Sequence, residues 1–173
     1  LLMAWTQVMA AVPADAIQAG FDERNLPPVR ELLQTGDYEA CARLSEVAIA
    51  RGQPSPQWGL LRMKALFAMG HGDEAWDVAG DLVKKHPDDL ESWMAFHDMA
   101  LSLGKRADAD EALRKLNEAT KRLPAAKRTA KDMVMLGRAA LAIGADPQKV
   151  IAQFFDPAKK KDKALLDVYL ALG

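Results

Sequence analysis

The sequence predicts an all-α fold built from a recurring helical hairpin, and three observations predict it. Gly36, Gly70 and Gly104 stand 34 residues apart, twice over, and Cys41 and Ala75 keep the same 34-residue interval. Between these marks apolar residues recur at three- and four-residue spacings, the period of an amphipathic helix. Half of the 173 residues are apolar and only 6% are aromatic. A chain rich in Ala, Leu and Met but poor in aromatic residues favours helix over sheet.

The stretch Trp58–Pro87 shows the unit most clearly. Trp58, Leu61, Ala65, Leu66 and Met69 give one face of a first helix over 57–69, which Gly70 ends. Asp73 is the expected N-cap of a returning helix that carries Ala75, Trp76, Val78, Ala79, Leu82 and Val83 to Lys84-Lys85. Two lysines there suit the partial negative charge of a helix C-terminus, and Pro87 stops the run.

Upstream, LLMAWTQVMAAV runs into Pro13-Ala14-Asp15-Ala16. An apolar stretch followed by small residues resembles the end of a secretory signal peptide. The competing reading is a packing helix of a preceding repeat, so 1–20 is one or the other; the first favours an exported protein and the second a cytoplasmic one. Pro27-Pro28 suit a first helical turn, with Asn25 as a nearby cap. A short helix then ends at Gly36, and a second opens at Asp37 with Tyr38, Cys41, Leu44, Ser45, Ala48 and Ile49 on one face. GQPSP at 52–56 separates this hairpin from the Trp58 unit.

Downstream, Asp88-Asp89 start the next unit, with Trp93, Phe96, Ala100, Leu101 and Leu103 before Gly104. The return helix begins late, near Ala107, and runs to Arg122. Pro87 and Pro124 are 37 apart, and the late start after Gly104 accounts for the extra three. A helix over 130–143 ends at Gly144, and Asp146-Pro147 reads as a cap with a first-turn proline. The next helix is expected to be short, 147–155, broken by Asp156-Pro157 and Lys159–Lys161. Residues 162–173 read as a first helix without its return partner. With Leu1 in place of an initiator methionine, the natural chain is expected to extend in both directions.

A 34-residue period with two helices resembles the tetratricopeptide repeat (TPR) family. Cys41, Ala75 and Ala112 match the family's small residue where the two helices cross closest. Ala48 and Ala119 match its second small position, and Leu82 departs from it. Trp93 matches the family's first-helix Trp, which Trp58 misses by one residue. Leu136-Gly137 match its Leu-Gly pair, and Pro87 and Pro124 its closing proline. Arg62 stands where the family prefers Leu. The resemblance implies a right-handed helical-hairpin solenoid, antiparallel helix pairs stacked into a curved array across 21–173. Its units are about 26–53, 56–87, 90–124 and 130–156, with an incomplete one at 162–173. One pair cannot bury its own apolar face, so neighbours must stack.

The resemblance implies a site as well. First helices of such arrays line a concave groove that takes an extended peptide or a partner's helix. By register Leu60, Lys64 and Phe67, then Met94, Asp98 and Leu101, then Val134, Arg138 and Leu141 face it. Phe67, Met94 and Val134 are the expected apolar anchors, and Lys64, Asp98 and Arg138 set the register. The family members that grip a C-terminal carboxylate use Asn and Lys at such places; Asn is absent here, so that clamp is not expected. The implied function is non-catalytic binding of a protein or peptide. The alternatives are an architectural spacer in a larger protein and, less favoured, a nucleic-acid binder.

Other chemistry finds little support. His71, His86 and His97 lack ligand spacing, so no metal site is expected. No phosphate loop, GxSxG or HExxH occurs, and neither a cofactor nor a small-molecule substrate is expected. Cys41 is alone, which precludes an internal disulfide, and its small apolar neighbours suit packing. Asp88-Asp89 read as a helix start. No apolar run of about 18 residues suggests a membrane span. Net charge is −1, yet residues 1–104 carry 8 Lys/Arg against 15 Asp/Glu and residues 105–173 carry 15 against 9. Lys127, Arg128, Lys131, Lys159–Lys161 and Lys163 have no aromatics interleaved, as a single-strand binder would want, so a solvated linker is the better reading.

Overall fold

The computed structural model describes residues 23–165, helices joined by turns and short connections, divided into two compact units. The possible leader at 1–20 and most of the expected helix at 162–173 lie outside the described residues.

The first unit reaches Lys85. A 3-10 turn, Glu23–Asn25, leads into α1 (Leu26–Thr35), followed by α2 (Tyr38–Ala50), α3 (Pro56–Ala68) and α4 (Gly72–Lys85). Asn25 occupies the cap position of α1 but makes no side-chain capping bond, while Pro27 and Pro28 fill the first turn as expected. Asp37 caps α2 through the Ala40 amide at 3.2 Å, and Ser55 caps α3 through Gln57 at 3.4 Å. The expected Asp73 cap shifts: α4 already begins at Gly72, and the His71 carbonyl accepts from Ala75 at 2.9 Å. Asp73 therefore lies inside the first turn, where its charge still suits the positive helix end.

Each first helix closes in the same way. Gly70 has φ 84°, and the His71 amide donates back to the Leu66 carbonyl at 3.0 Å. This is the left-handed Schellman closure that glycine adopts without Cβ strain. The bond recurs from Asp37 to Leu32, Lys105 to Ala100 and Ala145 to Ala140. The periodic glycines are thus the sharp corners between paired helices.

Within this unit α2 packs against α1 and α3, α3 against α4, and α1 also meets α3. Cys41, Ala75, Ala48 and Ala79 are completely buried, as is Trp58. At the departing position, Leu82 finds room because Gly59 faces it: a Cβ on Gly59 would lie 2.7 Å from Leu82 Cδ1. The larger side chain on one helix is matched by a missing one on the other.

Burial has a chemical consequence at Cys41. Desolvation pushes its thiol up to about 11, with the Asp37 charge adding to the rise and a Ser45 hydrogen bond opposing it. At pH 8 such a thiol is about one part in a thousand thiolate, against roughly a quarter for an ordinary cysteine. Iodoacetamide labelling followed by mass spectrometry should therefore be at least about 100-fold slower in the folded protein than in denaturant. Equal rates would show that Cys41 is not packed in this way. The folded state holds this proton more tightly than the unfolded chain does. Its contribution to stability is intact below the ordinary thiol value and is lost as pH climbs through about 11.

The second unit starts at His86. It comprises α5 (Leu90–Ser102), α6 (Arg106–Arg122), a 3-10 turn (Ala125–Lys127), α7 (Ala130–Ala142), α8 (Pro147–Val150), a π-helical turn (Ile151–Phe155) and α9 (Asp156–Lys161). Asp89 caps α5 through Ser92 at 2.8 Å. Thr129 and Asp132 form a reciprocal capping box on α7, and Asp146 caps α8. The Trp93 indole donates to the Pro87 carbonyl at 2.9 Å, fixing the entry to α5.

The expected break at Asp156-Pro157 does not occur. Val150, Ile151, Phe155 and Asp156 are all right-handed helical, so the chain stays helical from Pro147 to Lys161. An α-helical proline lacks its N–H and crowds the carbonyl four residues back. The wider π turn just before Pro157 offers a way round that clash. The core of this unit gathers Leu90, Met94, Leu116, Val134, Met135 and Phe155. Phe155 lies directly over Gly137, where a Cβ would come within 2.8 Å of its Cζ.

Candidate interaction face

The nine residues expected at the groove divide by depth. Leu60 and Met94 are each 2% exposed and Val134 is fully buried, whereas Phe67 is 40%, Leu101 51% and Leu141 36% exposed. Met94 and Val134 belong to the hydrophobic core of their unit. They are not available as anchors, which corrects the assignment made from register. Seven residues, two turns, separate Leu60 from Phe67, so the two lie at different heights along α3 and differ in burial. Phe67, Leu101 and Leu141 each stand three residues before a closing glycine, and Ile143, one residue before Gly144, is exposed as well. Leu33 and Arg30 hold the same offsets from Gly36 and were missed; the glycine register already contained that signal.

In the first unit the adjacent helices α1 and α3 present Arg30 with half-buried Leu33, and Lys64 with Phe67. Both charges are basic. Arg30 donates to the Gln57 side chain at 3.3 Å. Lys64 is exposed and makes no ion pair among the described residues.

In the second unit the corresponding charges meet each other. Arg138 Nη2 on α7 lies 2.6 Å from Asp98 Oδ2 on α5, and Asp98 Oδ1 lies 3.1 Å from the buried His97 Nδ1. Two turns earlier Lys131 Nζ contacts Glu91 Oε2 at 2.6 Å. These two pairs clamp α5 to α7 along one face. At this partial exposure each is worth about 0–1 kcal/mol, so they define alignment more than stability. Asp98 and Arg138 are thus engaged with one another, with Leu101 and Leu141 exposed one turn further on.

The basic residues at the end of the chain have internal work. Lys161 Nζ donates to the Arg128 carbonyl, Lys131 pairs with Glu91, and Arg128 Nη2 donates to the Thr120 carbonyl at 3.5 Å. Such engagement weakens the case for a phosphate-binding strip. His71 Nδ1 is 2.8 Å from Glu74 Oε1 at the start of α4. Among the described residues no three His, Cys, Asp or Glu side chains converge as a metal site would need. None of the described helices is long and apolar enough to cross a membrane.

No protein-family model matches the sequence. No curated protein matches it either. Among solved structures the chain is similar to a thermophilic TPR protein from Thermus thermophilus. The two share 17% sequence identity, and the match covers 84% of this chain and 78% of the other with a TM-score of 0.55. The class is therefore an all-α fold of stacked helix pairs similar to a TPR protein. At this identity the likeness speaks for the fold alone.

Proposed function

We propose that this chain is a non-catalytic protein-interaction module that binds an extended peptide or a partner's helix on its first-helix faces. One observation carries the reading. Large apolar side chains stand exposed at one repeated position, Phe67, Leu101 and Leu141, each with a charged residue a turn earlier. A soluble fold has little reason to repeat an exposed apolar group in register unless something covers it. Apolar anchors at fixed spacing beside charges are what helix-in-groove and extended-peptide recognition use. Lys64, Asp98 and Arg138 tune the choice of partner, while Leu60, Met94 and Val134 support the face from beneath.

Selection of a displayed random-peptide library on the immobilised chain tests it. Recovered peptides should carry spaced apolar residues and lose at least about tenfold in affinity to the triple variant Phe67→Ser, Leu101→Ser, Leu141→Ser, since buried anchors dominate such interfaces. Charge reversal at Lys64, Asp98 and Arg138 should change which peptides are recovered. Peptides that bind both variants as tightly as the parent would overturn the assignment.

A further inference from the structure

A cleft lies in the C-terminal unit, and neither Leu101 nor Leu141 is among its lining residues. Helix α6 packs along α5 but makes few close approaches to α7. The gap between them is a cleft of about 600 Å³, within the ~300–1,000 Å³ range typical of small-molecule sites. Its apolar wall comes from Leu113 and Leu116 on α6, Leu136, Ala140 and Ile143 on or just after α7, and Phe154 in the π turn. Three departures from the regular repeat coincide here. The delayed start expected after Gly104 is absent, since α6 begins two residues past its glycine as α4 does, but α6 runs 17 residues against 14. The connection to α7 is long, and the π turn leaves Phe154 half-buried beside the cleft while Phe155 enters the core.

The polar side of the cleft is asymmetric. Arg114, at the lining, is already paired with Glu111, and Asp110 lies on the same wall. Arg128 is different. It reaches the cleft from the connection, its Nε is shielded from solvent, and that N–H has no acceptor among the described residues. Among the described residues its Nη2 donates to the Thr120 carbonyl at 3.5 Å. The shielded Nε does not itself face the open cleft, but Arg128 lines it and its guanidinium pairs with no carboxylate among the described residues. A carboxylate is the acceptor that matches a guanidinium fork. An apolar cavity with one unfilled cationic donor selects a molecule that is apolar along its body and anionic at one end.

We propose that this cleft is a binding site for a carboxylate amphiphile, an acyl chain lying against Leu113, Leu136, Ala140 and Phe154 with its carboxylate on Arg128. The proposal does not rest on the peptide-binding reading, because it uses other side chains. Calorimetric titration of the full chain with dodecanoate, dodecanol and dodecylammonium, all below their aggregation limits, tests it. Dodecanoate should bind saturably, one per chain, and more tightly than the other two. Arg128→Gln should weaken dodecanoate about tenfold while leaving dodecanol unchanged. Ala140→Phe, which fills the cavity, should abolish binding of both, and Leu113→Gln should weaken both, with circular dichroism showing helical content retained in each variant.

Absence of saturable dodecanoate binding would overturn the proposal. So would affinity indifferent to the head group, or binding that survives Ala140→Phe. Selected peptides that compete with Ala140→Phe rather than with the Phe67, Leu101 and Leu141 variant would instead make the cleft a protein-docking groove and also overturn it.

Discussion

Replacing Phe155 by alanine should destabilise the C-terminal unit by about 3–5 kcal/mol, the usual cost of removing a fully buried aromatic ring. Phe155 is 1% exposed, and its ring covers Gly137 on α7. That contact makes the prediction sharper than a simple cavity argument. Gly137→Ala should itself cost about 1–3 kcal/mol, because a Cβ would fall 2.8 Å from Phe155 Cζ and 3.0 Å from Cδ1, and a buried ring has nowhere to go. In the Phe155→Ala background the same Gly137→Ala change should become neutral or stabilising, since the clash is gone and alanine is the better helix former by about 1 kcal/mol. A double-mutant cycle by urea denaturation would read this as a coupling of at least about 1 kcal/mol. Additive costs would show that the ring does not rest on Gly137. Gly59→Ala provides the control: the obstructing atom is only the flexible tip of Leu82, so its cost should stay below about 1 kcal/mol.

Trp58→Ala should have a comparable effect on the N-terminal unit, about 3–5 kcal/mol. Trp58 is fully buried at the start of α3, in a core that mixes small residues such as Cys41, Ala48, Ala75 and Ala79 with Leu44, Leu61 and Leu82, and it is the largest side chain there. Its removal leaves the largest void any single truncation of this unit could make. Trp58→Phe should recover more than half of it. Urea midpoints of the three proteins decide the matter, and a Trp58→Ala midpoint within error of the parent would mean that the indole is not a core element.

Much of this architecture was legible in the chain. The glycines at 36, 70 and 104 are corners that backbone geometry nearly reserves for glycine, and Cys41, Ala75 and Ala109, each five residues past its glycine, are small buried residues. Both constraints act locally, so they survive as spacing. The expected Ala112 is buried too but lies three residues beyond that register, because α6 starts without delay. What sequence could not convey was compensation between distant residues: Leu82 looked like a defect until Gly59 was found opposite it. Pro157 misled for a related reason, because its usual effect assumes an ordinary α-helix ahead of it and here the preceding turn is wider. The candidate face was legible in angle but not in depth. Register names a side of each first helix, yet an apolar residue reads the same whether it is exposed there or fills a core. Met94 and Val134 fell in the core, while Leu33 was overlooked although its offset from Gly36 was in plain view.

The π turn at Ile151–Phe155 acts as a phase shift. One surplus residue rotates everything after it by about 100° around the helix axis. Val150, Phe155 and Ala158 are the buried residues of this segment, separated by five and then three positions. Without the surplus residue, the face carrying Val150 would next have presented Phe154, and the proline and the lysines beyond it would have turned with it. The helix therefore keeps two different sides toward the protein, one before the shift and one after. Its two adjacent phenylalanines are divided between them, Phe155 committed to the interior and Phe154 left at the wall of the cleft.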